Sequence, residues 1–205
     1  MRANIGHVDH CGAAGAVDDV ELSPMRNMFR QLAAYNAWAN ARLYEGALAL
    51  PDELYRANVG VFFQSLHGTL NHILLTDRLW LTRLTCVGEQ PKRLDGILYD
   101  DRLELARARL AEDSRLLAVV SGYDEATLAR PHAYQTTSGK PQEQPLSDIL
   151  MHLFNHQTHH RGQAHACLSI VTKQEPPPLD LLLFQRGVPP PDLAEQLGGS
   201  AAARP

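Results

Sequence analysis

Cysteine is scarce in this chain: three residues, Cys11, Cys86 and Cys167, spread over 205 positions. An odd and widely spaced set excludes a disulfide framework, and no CxxC pair offers a thiolate zinc site or a redox couple. The pattern predicts a reducing compartment, the cytoplasm, with Cys11 a tail cysteine without a role. A basic surplus is also missing. Nineteen Lys and Arg stand against 23 Asp and Glu, a net charge of -4, which argues against nucleic-acid binding and against attraction to an anionic membrane. No apolar run approaches the roughly 18 residues a membrane span needs. The opening MRANIGHVDHCGAAGAVDD lacks the continuous apolar stretch of a signal peptide. Strand-type alternation and internal repeats are absent, which excludes a sizeable sheet and a solenoid.

What is there is helical periodicity. Residues 1–22 are rich in Gly and Ala and predict a flexible tail. Ser23-Pro24 reads as the N-cap and first residue of a helix in which Met25, Met28, Phe29, Leu32, Ala39, Leu43 and Ala47 recur near helical spacing, ending near Leu50 before Pro51. A second pattern starts near Val61 and stops at Gly88 and Pro91. A third covers about 99–122, and RPHAYQTTSGKPQEQP then reads as a loop or small hairpin. A fourth runs from Pro145–Ser147 to about Thr172, where Pro176-Pro177-Pro178 bars continuation. LDLLLFQRG after it is a short apolar segment that must pack on something. The expected fold is all-α, a four-helix bundle over residues 23–188 with long connections, one of them a plausible crossover, and a short C-terminal helical segment. Residues 189–205 are expected to form a flexible tail.

Histidine is the outstanding residue type. Six of the ten fall in two clusters, His67 and His72, then His152, His156, His159 and His160. In the fourth helix each residue turns by about 100°. With His156 as zero, Ile149, Leu153, Gln163, Cys167 and Val171 lie between about -20° and +60°, His160 at about +40°, His152 at about -40° and His159 at about -60°. Imidazoles then stand where a bundle would place Leu, and their nitrogens need partners. Two histidines four apart on one helix face can share a metal ion, the logic of the HExxH helix. Here the glutamate after the first histidine is missing, and with it the acid–base group of that motif.

The second helix carries SLHGTLNHILLTDRLWLTRL. Periodicity does not choose between His67 and His72. Asp77 falls on the apolar stripe and needs a partner: a buried salt bridge, for example to Arg83 or Arg161, or an imidazole that it orients.

FRQLAAYNAWANARLYEGA, SLHGTLNHILLTDRLWLTRL and HLFNHQTHHRGQAH, taken together, resemble the three sequence blocks of the DinB-like (DinB/YfiT) metalloprotein family over about residues 25–172, more weakly through LDLLLF. The resemblance implies a four-helix bundle holding one divalent metal ion, zinc or nickel, through three histidines. The TLNHI block points to His72, and NHQTHHRGQ to His156 and His160, with water completing the sphere. Relatives in the wider superfamily are thiol-dependent transferases or isomerases, so the resemblance also implies a low-molecular-weight thiol as a possible cofactor, and a homodimer.

Two functions compete. One is a metal-dependent enzyme, of the thiol-dependent transferase or hydrolase type, acting on a small molecule in a cleft lined by the first, second and fourth helices. There Arg161 or Arg83 could hold an anionic group, and Tyr35 or Trp38 could line the pocket. The other is a non-catalytic divalent-metal-binding stress-response protein, in which a fourth ligand such as His152 closes the sphere. An open coordination position is the mark of the first.

Overall fold

The computed structural model describes residues 23–91 and 93–199. The expected N-terminal tail, with Cys11, and the last six residues lie outside them. The fold is all-α apart from one hairpin. In chain order the elements are α1 (Pro24–Leu48), α2 (Asp52–Arg56), α3 (Leu66–Thr85), α4 (Arg102–Ser121), α5 (Glu125–Ala129), β1 (Pro131–Gln135), β2 (Pro141–Pro145), α6 (Leu146–Thr172), α7 (Leu181–Gln185) and α8 (Leu193–Gly199).

The long helices start and stop for local reasons. Ser65 caps α3 by accepting the Gly68 N–H at 3.1 Å, and Asp101 caps α4 through Leu103 and Glu104. Both α3 and α6 end on a left-handed residue, Cys86 and Lys173, each at φ 57°. Ser23 stands at the N-cap of α1 but makes no side-chain capping bond. The Glu125 carboxylate of α5 instead accepts the backbone N–H groups of Met25 and Arg26 at 3.3 and 3.1 Å, placing a negative charge at the positive end of the helix.

The four long helices enclose the core, with α1 packed on α4 and α6, and α3 packed on α4 and α6. Sequential helices α1 and α3 therefore face each other across the diagonal, as do α4 and α6. This is why the α1–α3 and α4–α6 connections are long: each must cross an end of the molecule, whereas α3 and α4 are packed neighbours. Leu43, Leu66, Leu70, Leu74, Leu105 and Leu168 fill one end of the core, and Phe29, Leu81, Leu116, Ile149 and Leu153 the other. Between them lies a buried polar layer to which all four helices contribute. Arg109 of α4 reaches Asp77 of α3 at 2.7 Å and Asp113 at 2.9 Å. Asn36 and Asn40 of α1 donate to Asp113, Gln157 of α6 donates to Asp77, and Arg161 of α6 donates to Asn36. Two carboxylates and two guanidiniums balance in charge, so the layer buries no net ion.

Two expectations change here. Asp77 finds its cation in Arg109, not in Arg83 or Arg161. Residues 189–199, expected in a flexible tail, include α8, whose Leu193 and Leu197 are buried in the core. The LDLLLF segment packs on α1. Tyr35 Oη donates to the Leu179 carbonyl at 2.7 Å, Trp38 Nε1 to the Val188 carbonyl at 2.8 Å, and Phe184 lies against both rings. No helix among the described residues is long and apolar enough to cross a membrane.

Candidate metal centre

The buried stripe of α6 is not centred where simple periodicity suggested. Ile149, Leu150, Leu153, Phe154, Gln157, Arg161, Ala164, Cys167 and Leu168 are the buried residues after its first turn. On the same angular scale they run from about +20° to +160°. His156 and His160 therefore stand at the edge of the stripe, where α6 meets α3 and the inside meets solvent. His152 and His159 lie farther round and are exposed.

Against this edge α3 presents His72. The ring nitrogens of His72, His156 and His160 lie within 4.8 Å of one another, forming the group of histidine, cysteine and acidic side chains that could hold an ion among the described residues. His72 Nε2 and His160 Nε2 are 3.2 Å apart. Two nitrogens each about 2.0–2.1 Å from one ion at the tetrahedral angle would be separated by about 3.3 Å.

The proton positions make this contact informative. His72 Nδ1 lies 2.7 Å from the Leu94 carbonyl oxygen, and His160 Nδ1 lies 2.8 Å from Gln163 Oε1. Neither oxygen can donate, so each Nδ1 carries the proton and each neutral ring leaves Nε2 bare. Two bare lone pairs then face each other at hydrogen-bond distance with no proton between them, an arrangement that a cation relieves. Electrostatics agree. Burial lowers the His72 pKa to about 4, and burial together with the neighbouring imidazoles lowers that of His156 to about 3. Burial also lowers the His160 pKa, against the opposing hydrogen bond to Gln163. The group is uncharged at neutral pH, the state in which imidazole binds a metal.

The supports of these rings can be traced to sequence. Asn71, beside His72 and fully buried, accepts the backbone N–H groups of Leu98 and Tyr99 at 2.8 and 3.0 Å and donates to the Tyr99 carbonyl. It thus ties the segment between α3 and α4 to the helix that carries His72. Phe63 stacks on the His72 ring, centroids 3.9 Å apart, and meets His160 edge-on at 5.6 Å. Its position depends on Gly68: a Cβ there would lie 2.2 Å from the Phe63 carbonyl oxygen, a contact no larger residue permits. Gln163, one helical turn beyond His160, spans two histidines by also donating from Nε2 to His159 Nε2 at 3.2 Å.

Other histidines have separate occupations. His67 donates from Nε2 to the Tyr99 carbonyl at 3.0 Å and packs on Tyr55. His152 lies against Trp80, its ring centroid 5.9 Å from that of His156, and stands outside the three-histidine group. Arg161 is turned into the core, and Tyr35 and Trp38 hold the C-terminal segment, so none of these lines the histidine cavity.

The three rings open onto a cavity of about 620 Å³ whose walls include Phe62, Phe63, Leu94 and Gln163. A second cavity, about 480 Å³, lies on the hairpin side and shares Leu94 and His156 as walls. The cleft is thus formed by α3, α6, the hairpin and the segments before and after α3. The expected contribution of α1 is replaced by these segments, because α1 lies diagonally across the core from α3. Phe63, Leu94, Asn71 and the hairpin were not foreseen as site residues. Gln163 had a signal, since it follows His160 at helical spacing within the NHQTHHRGQ run.

The family model described as DinB family matches residues 25–191. Protein DinB of Bacillus subtilis (strain 168) is 28% identical over 146 residues, covering 67% of this chain and 83% of the relative.

Proposed function

Taking as premise that this chain belongs to the DinB family, we propose that it is a metal-dependent enzyme acting on a small molecule, of the thiol-dependent transferase or hydrolase type. His72, His156 and His160 are its metal ligands and zinc or nickel its ion. The observation that carries this reading is the pair of bare Nε2 atoms 3.2 Å apart, with the third imidazole beside them and a cavity at their open side. The donor set fits the group. Three neutral nitrogens suit a borderline divalent ion, and three protein ligands leave a position for a substrate or cofactor. A divalent ion bound there supplies Lewis acidity, lowering the pKa of a thiol or water that reaches it.

The protein's own residues do the rest. Leu94 and Gln163 hold the His72 and His160 rings in the tautomer that points Nε2 at the ion. Phe63 covers one face of His72 and keeps water from it. Phe62, 83% exposed at the cavity, offers an apolar surface to an incoming molecule. A storage or sensing protein would close the sphere with a fourth protein ligand, and His152, the candidate for it, instead packs on Trp80. The low-molecular-weight thiol belongs to the same proposal, as does a small-molecule rather than nucleic-acid partner, in keeping with the net charge of -4.

Elemental analysis of the purified protein tests the metal, with about one divalent ion per chain expected. A protein that holds none and takes none up on reconstitution would refute the reading. Low-molecular-weight thiols screened against the metal-loaded protein then test the chemistry. A change in the absorption of a cobalt-substituted sample on thiol addition is expected, and unchanged spectra with every thiol would remove the thiol-dependent branch.

A further inference from the structure

Three arginines among the described residues are less than a tenth exposed: Arg109, Arg161 and Arg83. Arg109 is paired with Asp77 and Asp113, and Arg161 donates to Asn36 and Gln157. Arg83 is different. It is 9% exposed, its buried Nε has no hydrogen-bond partner, and no carboxylate pairs with it among the described residues. Its guanidinium packs beside two aromatic rings that meet edge to face, 4.8 Å from the centroid of Trp80 and 5.3 Å from that of Tyr134. Cation–π contacts of this kind restrict the side chain but satisfy none of its N–H donors. That side chain lines the hairpin-side cavity, whose walls continue to His156. A buried cation without a counter-ion is costly unless something supplies the charge.

We propose that this cavity binds the carboxylate of a small molecule on Arg83, and that the rest of the molecule extends past His156 to the histidine centre. Carboxylate is favoured over phosphate because one guanidinium balances one negative charge, and its planar fork matches a planar carboxylate. Gln144 and Thr137, also on the cavity wall, supply further polar contacts. Gln144 Oε1 already accepts from Tyr134 Oη at 3.2 Å, which leaves its amide N–H groups for a ligand. Trp80, Tyr134 and Leu79 provide apolar surface beside the charge, so the expected ligand is an amphipathic carboxylic acid. Its reaction at the centre rests on the function proposed above, whereas its binding to Arg83 does not require the metal.

The test uses the full chain, both as purified and after chelation of any metal. The probes are butyrate, its uncharged amide butyramide, and inorganic phosphate, followed by the NMR resonance of the Arg83 Nε–H group. Butyrate is expected to move that resonance saturably and to bind at least about tenfold more tightly than butyramide, the discrimination of a charge-assisted hydrogen bond. Arg83→Met, with its fold checked by circular dichroism, is expected to lose the preference while taking up metal like the parent. No shift with butyrate, or equal binding of butyrate and butyramide, would overturn the proposal, and tighter binding of phosphate would overturn the carboxylate assignment. Should Arg83→Met fail to fold, the three-probe comparison on the parent chain decides alone. Butyrate binding in a chain that takes up no metal would support the anion site while refuting the metal reading. Metal uptake without butyrate binding would do the reverse.

Discussion

Helices α3 and α6 carry two polar clusters within a few turns of each other, and the two are built on opposite terms. In the buried layer, Asp77, Arg109, Asp113 and Arg161 come from three helices, opposite charges are matched, and the amides of Asn36, Asn40 and Gln157 take up carboxylate or guanidinium contacts. At the edge, His72, His156 and His160 bring lone pairs together and supply nothing to put between them. The first cluster balances its own charges and joins the helices, although Arg109 Nε and Asn40 Oδ1 have no hydrogen-bond partner. On the function proposed above, the second is completed by a cation. Burial of polar groups alone therefore does not distinguish a structural cluster from a functional one; whether opposite charges or like lone pairs are brought together does.

Substitutions should separate the two clusters. The largest effect is expected from the ligand histidines: His72→Ala, His156→Ala and His160→Ala should each abolish tight metal binding, while His159→Ala and His67→Ala keep it. Metal titration with circular dichroism as a fold control reads this directly. The reverse separation is expected in the buried layer. Arg109→Leu leaves two buried carboxylates without their shared cation and should cost about 3–5 kcal/mol in urea unfolding, with metal stoichiometry per folded molecule unchanged. A smaller effect should follow at the border of the histidine site. Gln163→Ala removes the acceptor that orients His160 and should weaken metal binding about 10- to 100-fold without unfolding the chain.

The smallest effect concerns acid. In the folded, metal-free protein the His72 and His156 pKa values lie at about 4 and about 3, below the value of about 6.5 expected when unfolded. Between these limits the unfolded chain binds more protons, so stability is fully present above about pH 6.5 and is lost as pH falls through about 4 to about 3. Urea midpoints of metal-free protein should decline over that interval, and His72→Ala and His156→Ala should flatten the decline. A midpoint that rises on acidification would contradict the neutral-triad picture.

Much of this was legible in the sequence, for specific reasons. The four long helices announced themselves by apolar spacing and by Pro and Gly at their ends. The spacing of His156 and His160 placed both on one helical face, whereas the choice of His72 over His67 came from family resemblance. The register of α6 was misread because Gln157 and Arg161 lie on its buried stripe. Their polarity hid that stripe, and the partners that make their burial possible belong to α1 and α3. Asp77 could be seen to need a cation, but Arg109 was invisible as its source, since a contact between α3 and α4 leaves no local pattern. The short helices α2, α5 and α8 span five to seven residues, too few to show a period. Leu94 contributes only a backbone carbonyl, which no side-chain motif encodes.

The most direct test of the contrast between the charge-balanced cluster and the histidine cluster is X-ray absorption on protein loaded with one equivalent of zinc, with ligand number and type as the readout. The account predicts three imidazole nitrogens at about 2.0–2.1 Å and one further position that exchanges its occupant when a thiol is added. A sphere filled by four protein ligands would contradict the open site, and zinc bound without imidazole would contradict the account altogether.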